Sequence, residues 1–296
     1  MLYLIDSSIY IFRAWQTLPA TITNSHGEQA NAVHGFTAML AKILTDKKPD
    51  HIVCAFDKSS GTGKRYSIFP EYKANREPAP PELKIQFDRC SEIAEAMGIP
   101  AFGSPNIEAD DIIGMCAGAA QKANMPVTVV SADKDLTQFI TEADVYWNYA
   151  KNQQFNYAQL VKQFKVRPDQ IADMLALCGD KVDNVPGIPG VGQTTAARLL
   201  KKWQTLDGVF ANCEAIAKMS FRGAPRVALL VQEYEQTVRL SRQLTGLVID
   251  NAIPTTLSKL KRKKRSAKAM SQLLQNAGTS EQRAEKLAQT ITAALA

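Results

Sequence analysis

The stretch Asn106-Ile-Glu-Ala-Asp-Asp-Ile-Ile-Gly114 decides the fold, because it sets three carboxylates, those of Glu108, Asp110 and Asp111, within four residues. Asn106 can cap a helix whose first turn accepts acids, and Ile107, Ile112, Ile113 and Met115 give that helix an apolar side, so the acids sit at its N-terminal mouth. A preference for acids at helix starts accounts for one or two of them. A third, in a cluster of like charge, asks for a cationic counterpart.

Working outward, the same acid-tipped pattern recurs at strands. Met1 to Ile5 is a short apolar run ending in Asp6, followed by a helix-like stretch from Ser7 to Trp15 before Pro19. His51-Ile-Val-Cys-Ala-Phe56 ends at Asp57, after a helical stretch from about Val33 to Thr45 and a turn at Pro49. Val127-Thr-Val-Val130 follows the acid-cluster helix and runs into Ser131-Ala-Asp133-Lys-Asp135. Strands alternating with helices predict an α/β fold with a parallel sheet, whose ligand crevice lies beyond the strand C-termini, where these acids converge. From Phe155 to Trp203 the pattern becomes helical, broken by Asp180-Lys-Val-Asp183 and by the loop Val185-Pro-Gly-Ile-Pro-Gly-Val-Gly192. The division expected is a core over 1–165, a helical region over 166–258, and a basic run, Lys259-Leu-Lys-Arg-Lys-Lys-Arg265, with a polar, alanine-rich tail able to form a final helix, over 259–296.

Length and composition fit that division. A chain of 296 residues can bury one large core or two smaller ones. A formal charge of +6 favours an anionic partner. Five widely spaced cysteines without a Cys-x-x-Cys pair read as buried free thiols, in a reducing cytoplasm. No apolar run reaches the roughly 18 residues of a membrane span, and no export signal is expected.

Three constellations carry the chemistry. Asp6, Asp57, Glu108, Asp110, Asp111, Asp133, Asp135, Asp180 and Asp183 are too many carboxylates to share a crevice as bare anions. Any one of them reads as a surface charge or helix cap; together they predict a two-metal phosphodiesterase site, with hard cations on oxygen ligands and the metal left open between Mg²⁺ and Mn²⁺. Second, Gly187-Ile-Pro-Gly190-Val-Gly192 precedes Gln193-Thr194-Thr195-Ala-Ala-Arg198-Leu-Leu-Lys201-Lys202. Glycines let backbone approach a ligand, and the amides of the next helix start suit a phosphate: a helix-hairpin-helix type signal, with Asp180 and Asp183 at i, i+3 on one helix face just upstream. Third, Gly61 to Lys84 is a basic, proline-marked connection after an acid-tipped strand, read as a functional loop over the site. There Tyr72 could stack on a base while Lys73 and Arg76 grip the scissile phosphate.

Leu4-Ile-Asp6, Ala55-Phe-Asp57, Tyr72-Lys-x-x-Arg76, Glu108-Ala-Asp-Asp111, Ser131-Ala-Asp-Lys-Asp135 and Gly179-Asp-Lys-Val-Asp-Asn-Val-Pro-Gly-Ile-Pro-Gly-Val-Gly192 together resemble the bacterial 5′-3′ exonuclease/flap endonuclease family, in order, over about residues 1 to 250. That family includes the N-terminal nuclease domain of DNA polymerase I and stand-alone phage enzymes. The resemblance implies a PIN-like parallel-sheet nuclease core with a helical arch, and cleavage of 5′ flaps and 5′ ends of DNA in replication or repair, with RNA primer removal following naturally and RNA-DNA hybrids as possible substrates. It implies Asp57, Glu108 and Asp110 for a first metal, with Asp6 acting largely through water, and Asp133, Asp135 and Asp183 for a second, with Asp111 and Asp180 in support. It further implies K⁺ on main-chain carbonyls of Leu177, Cys178, Pro186, Ile188 and Val191. Two departures stand out: Ser7-Ser8 follows Asp6 where many relatives have glycine, and the C-terminal part does not resemble a polymerase's following domain. A stand-alone monomer is expected. The rival readings are a non-catalytic DNA junction-binding paralogue and a ribonuclease on a similar acidic core.

Overall fold

A computed structural model describes the chain apart from Ser59, Ser60, Thr62 and Ala296. Thr62 of the expected arch and Ala296 of the expected tail therefore lie outside the described residues. The sheet has six strands: β1 (Leu2–Asp6), β2 (His51–Asp57), β3 (Ala101–Ser104), β4 (Val127–Val130), β5 (Val145–Asn148) and β6 (Gln153–Asn156), in the order β3-β2-β1-β4-β5-β6. The first five are mutually parallel and β6 pairs antiparallel to β5. The expected parallel sheet is present, with one antiparallel strand added at its β6 edge. There a short connection, Tyr149–Lys151, returns the chain as a hairpin, which an antiparallel pair permits and a parallel pair does not.

The helices described are α1 (Ser7–Thr17), α2 (Asn31–Lys47), α3 (Lys64–Ile68), α4 (Pro81–Ala96), α5 (Ala109–Lys122), α6 (Tyr157–Phe164), α7 (Ile171–Cys178), α8 (Gln193–Trp203), α9 (Leu206–Phe210), α10 (Cys213–Ala217), α11 (Ala224–Glu233), α12 (Glu235–Thr245), α13 (Ala267–Asn276) and α14 (Glu281–Leu295). Strand side chains alternate between two layers. Leu2, Leu4, Val53, Ala55, Val127 and Val129 meet Ile112, Ile113 and Cys116 of α5. Ile5, Ile52, Cys54, Phe56 and Val130 meet Ile11, Phe36, Leu40 and Ile93 of α1, α2 and α4. Burial on both faces is why these strands read as continuous apolar runs. Helices α7 to α12 build a separate core around Leu175, Leu199, Leu200, Val209, Ile216, Val231 and Val238. Among the described residues no helix is long and apolar enough to cross a membrane. Cys54, Cys90 and Cys116 are buried free thiols, and Cys178 and Cys213 are free and half-buried.

The C-terminal stretch is helical, as its alanine-rich tail allows, and more firmly attached than a polar tail would be. Within Lys259 to Arg265 the side chains of Lys259, Lys261, Lys263 and Lys264 are exposed, but the backbone is bonded to the sheet. Leu260 is fully buried against the α5 side of the sheet, its carbonyl accepts from the Ile52 amide at 3.2 Å, and the Arg262 and Lys263 amides donate to the Asp50 and Gly98 carbonyls at 2.8 Å. Gly98, at φ +81°, lets this backbone approach, since a Cβ there would stand 2.1 Å from the Lys263 carbonyl oxygen. Helices α13 and α14 then bury Met270, Leu274, Ala284, Ala288 and Ile291 in the layer shared with α2 and α4. The alternation of small and large residues in a stretch rich in Ala, Gln and Lys hid this apolar stripe. Leu260→Ala is accordingly expected to cost about 2–5 kcal/mol in urea denaturation, against less than about 0.5 kcal/mol for a solvated position.

Candidate active site

Acids gather at the C-terminal edge of the sheet because β1, β2 and β4 each end there. Asp6 closes β1 and caps α1, its Oδ1 3.5 Å from the Ile9 amide, while its Oδ2 accepts from Ser131 Oγ at 2.6 Å. Ser131 Oγ also accepts from the Asp133 amide at 2.9 Å, and Asp133 Oδ1 accepts from the Asp135 amide at 2.9 Å. One serine thus links the ends of two strands. Asp57, at the tip of β2, accepts from the Ala109 amide at the start of α5 at 2.8 Å, and its own amide donates to Ser8 Oγ at 3.1 Å. The Ser7-Ser8 departure thereby supplies a contact that glycine could not.

The cap of α5 is Glu108 rather than Asn106, with the Glu108 amide donating to Asp111 Oδ2 at 3.1 Å. Asp111 also belongs elsewhere than in an open crevice. It is 1% exposed and forked by Arg65, whose Nη1 and Nη2 lie 2.6 and 2.7 Å from its two oxygens. Arg65 further donates to the carbonyls of Leu244 and Gly246 at 2.7 and 2.8 Å, and the Val248 amide donates to Asp111 Oδ1 at 2.8 Å. The pair is a strut tying the arch base to α5 and to the end of α12. The sequence reading gives Arg65 no part, because the pair Lys64-Arg65 carries no signal that one of the two is buried.

The arch residues are folded down. The Lys73 ammonium is 2.5 Å from Glu108 Oε1 and 3.6 Å from Asp183 Oδ2, and the Arg76 guanidinium is paired with Asp183. Tyr72, expected to stack on a base, is instead 2% exposed, with its hydroxyl donating to Glu108 Oε2 at 3.0 Å and near Asp183 Oδ2 at 3.2 Å. Lys73 sits at φ +54°, its amide held by the Asp183 carbonyl at 3.0 Å. Asp180 and Asp183 are not on a helix face either: they lie in a tight turn closed by paired backbone bonds between Asp180 and Val185, of 3.0 and 2.8 Å. Lys134, another cation given no part by sequence, lies 3.4 Å from Asp180 Oδ2 and 3.7 Å from Asp135 Oδ1.

Charge remains uncompensated deeper in. Burial, then the neighbouring Asp57 and Asp133, pushes the Asp6 carboxyl up to about 7. Burial and Asp133 push Asp135 up to about 7 as well, and burial with Asp133 and Asp6 holds Asp110 well above the ordinary carboxylate range. Asp133 is raised too, first by burial. For Lys73 burial opposes the charge, but Glu108, Asp183 and Asp110 reverse that and its ammonium is raised. As the side chains stand, no three acid, cysteine or histidine groups among the described residues meet closely enough to hold a metal ion. The donor set nevertheless suits a hard cation: it is all carboxylate oxygen, and Asp135 Oδ1 is buried without a hydrogen-bond donor.

The hairpin sits beside this edge. Gly187 is packed against the end of α7 so closely that a Cβ would stand 2.2 Å from the Gly179 nitrogen, and Gly190 holds φ +81° in the turn. Gly192 caps α8 without a side-chain bond, and Gly192 and Thr194 are exposed while Thr195 is half-buried. Arg198, Lys201 and Lys202 follow along the exposed side of α8, where Lys202 stands over the Trp203 ring. The carbonyls of Leu177 and Ile188 accept from the amides of Ile188 and Val191 at 2.9 and 3.0 Å, and that of Pro186 from Ser241 Oγ. Leu177, Ile188 and Val191 are buried and Cys178 is half-buried.

Comparison with known proteins settles the lineage. Residues 1–165 match the model of a 5′-3′ exonuclease N-terminal resolvase-like domain and residues 166–268 that of a 5′-3′ exonuclease C-terminal SAM fold. The chain belongs to the 5′-3′ exonuclease family. A 5′-3′ exonuclease of Aquifex aeolicus is 35% identical over 93% of this chain and 91% of its own length. DNA polymerase I of Bacillus caldotenax is 36% identical over 86% of this chain, which there spans 29% of the polymerase. Among solved structures, T5 5′-exonuclease shares the fold at a TM-score of 0.66 and 16% identity, over 100% of this chain and 99% of that one, and flap endonuclease-1 of Methanococcus jannaschii at 0.59 and 16%, over 99% and 92%. The T5 structure holds zinc.

Within this exonuclease-family chain the Arg65–Asp111 strut is expected to be the least replaceable ion pair. Arg65→Leu leaves a buried carboxylate unpaired and is expected to cost about 3–5 kcal/mol by chemical denaturation. Adding Asp111→Leu to it should recover part of that loss.

Proposed function

We propose that the chain is a structure-selective 5′ nuclease hydrolysing DNA phosphodiesters, as a 5′-flap endonuclease and 5′-3′ exonuclease. The observation that carries this is the meeting, at one edge of the sheet, of strand-end acids, the folded-down cations of the 61–84 arch, and a phosphate-binding hairpin in the 166–258 region that shares a backbone turn with Asp180 and Asp183. A binder of a polyanion gains nothing from such an acid cluster; a hydrolase does.

Asp57, Glu108 and Asp110, with Asp6 behind them, would hold one divalent cation, and Asp133, Asp135 and Asp183 a second, with Asp180 in support and Asp111 fixing Arg65. The chemistry such a pair, Mg²⁺ or Mn²⁺, supplies when bound is activation of water and neutralisation of charge on the attacking and leaving oxygens. The chain's own residues prepare the rest. Uncapped amides at the start of α8, with Thr194, Thr195 and Arg198 near them, bind duplex phosphates without reading bases. Lys73 and Arg76, now on Glu108 and Asp183, transfer to the scissile phosphate once the acids have cationic partners of their own. Tyr72 moves with them and reaches a base only in that state. The second lone pairs of the hairpin carbonyls suit K⁺ beside the duplex.

The biological setting proposed is removal of flaps or primers in DNA replication and repair, on branched or 5′-ended DNA and RNA-DNA hybrids, by a cytoplasmic monomer.

The decisive test is cleavage of a 5′-labelled flap in Mg²⁺, with binding of the same flap measured in Ca²⁺. Asp133→Ala is expected to bind within a few-fold of wild type and to lose at least about 10³ of the cleavage rate. A wild type that binds the junction tightly and never cuts would replace this reading with that of a junction-binding paralogue. Separately, 10 mM Mg²⁺ should raise the melting temperature by an amount worth about 1–3 kcal/mol, and EDTA should reverse it; Asp110→Asn should weaken the shift.

A further inference from the structure

At the opposite pole of the sheet from the acids, the basic run and the last helix flank a half-open cavity of about 190 Å³ lined by Arg262, Lys264, Arg265, Met270, Thr292 and Leu295. Lys261 bridges to His51, the first residue of β2, whereas Asp57 is the last, so about six residues of extended strand, roughly 20 Å, separate cavity and acids. Two lining side chains carry orphaned polar atoms: Arg262 Nε and Thr292 Oγ1 are buried and have no hydrogen-bond partner. None of Arg262, Lys264 and Arg265 is within ion-pair distance of a carboxylate among the described residues. Arg265 spends its Nε on the Glu95 main-chain carbonyl at 3.2 Å, and no acid lines the cavity.

A buried guanidinium N–H and a buried hydroxyl without partners carry a desolvation cost that native structures seldom leave standing. Both are donors, and three cations surround them. The complementary ligand is an anion with several acceptor oxygens, and the pocket has room for a phosphate group. We propose that this cavity is a phosphate-binding site, distinct from the hairpin and the acid edge, for inorganic phosphate or the terminal group of a phosphomonoester. Its ligand bridges Arg262, fastened by its amide to the Asp50 carbonyl, and Thr292 on α14, and so latches the C-terminal helix pair to the sheet.

The test titrates the full chain with sodium phosphate at constant ionic strength in EDTA, following heat and stoichiometry by calorimetry and the melting temperature in parallel. Wild type should bind one phosphate saturably and melt higher. Thr292→Val, which is isosteric, and Lys264→Ala, at an exposed side chain, should each bind about tenfold more weakly or worse, as loss of a donor to a charged group predicts, and Arg262→Gln should abolish binding if it folds. Arg198→Ala, on the hairpin helix, should bind phosphate as wild type does. The same titration with a nucleoside monophosphate identifies an esterified source if it shows the same sensitivity to Thr292→Val, and the free anion if it does not bind; either result upholds the site. Absence of saturable binding, affinity unchanged in both Thr292→Val and Lys264→Ala, or affinity lost in Arg198→Ala would overturn it.

Discussion

Repulsion among carboxylates at one edge of the sheet is the constraint to which the rest of this molecule answers. Two unit charges 4 Å apart interact by about 1 kcal/mol in water and about 4 kcal/mol at the effective dielectric near a protein surface, so a cluster of eight or nine acids is tolerable only with cations close by. The chain supplies them in two kinds. Arg65 is 7% exposed and bound on every side, so its partnership with Asp111 is permanent. The Arg76 side chain is 49% exposed and its partner Asp183 is 20%, so that pair can be exchanged at small cost. Fixed charge holds the architecture while exchangeable charge stands where a substrate's phosphate would compete.

That division also explains how two halves of the chain act on one place. The helical region has its own core, yet its Asp180–Val185 turn exchanges hydrogen bonds with the arch: the Lys73 amide donates to the Asp183 carbonyl and Asn75 to the Lys181 carbonyl, while Asn184 of the turn donates to the Glu71 carbonyl. The close backbone crossing at Gly179 and Gly187 then carries this turn into the hairpin. The positions of the hairpin and of Asp183 are thus set by one short piece of backbone.

Much of this was legible in the sequence because the strands that carry acids are buried on both faces, and such strands write themselves as apolar runs ending in a charge. β1, β2 and β4 were read within a residue or two for that reason. β3, β5 and β6 were not read: each is four residues long, β3 contains Gly103, and β6 is Gln-Gln-Phe-Asn. At the site, the acids were visible as a set but their partners were not. Whether a given Lys or Arg is buried against a carboxylate depends on contacts across long separations, such as Arg65 with Leu244 or Lys73 with Asp183, which no local spacing encodes. The two acids on the Tyr72 hydroxyl were not read either, because a tyrosine beside two cations suggests its ring rather than its hydroxyl.

The placement of β1 at the middle of the sheet has a consequence for how the molecule is made. One of its edges waits for β2, but the other pairs Leu2 with Val127. At typical ribosomal speeds the residues between them take roughly 6 to 25 s to synthesise. Throughout that interval a strand of Leu, Tyr, Leu and Ile has an open edge, the kind that pairs with whatever strand is nearest. The sheet is then sealed at its other end only by residues 260–263, against Ile52, Asp50 and Gly98. Crowded or slowed synthesis should therefore harm the yield of this protein more than its measured stability would suggest, and a chain released early would be lost to aggregation rather than to weak activity.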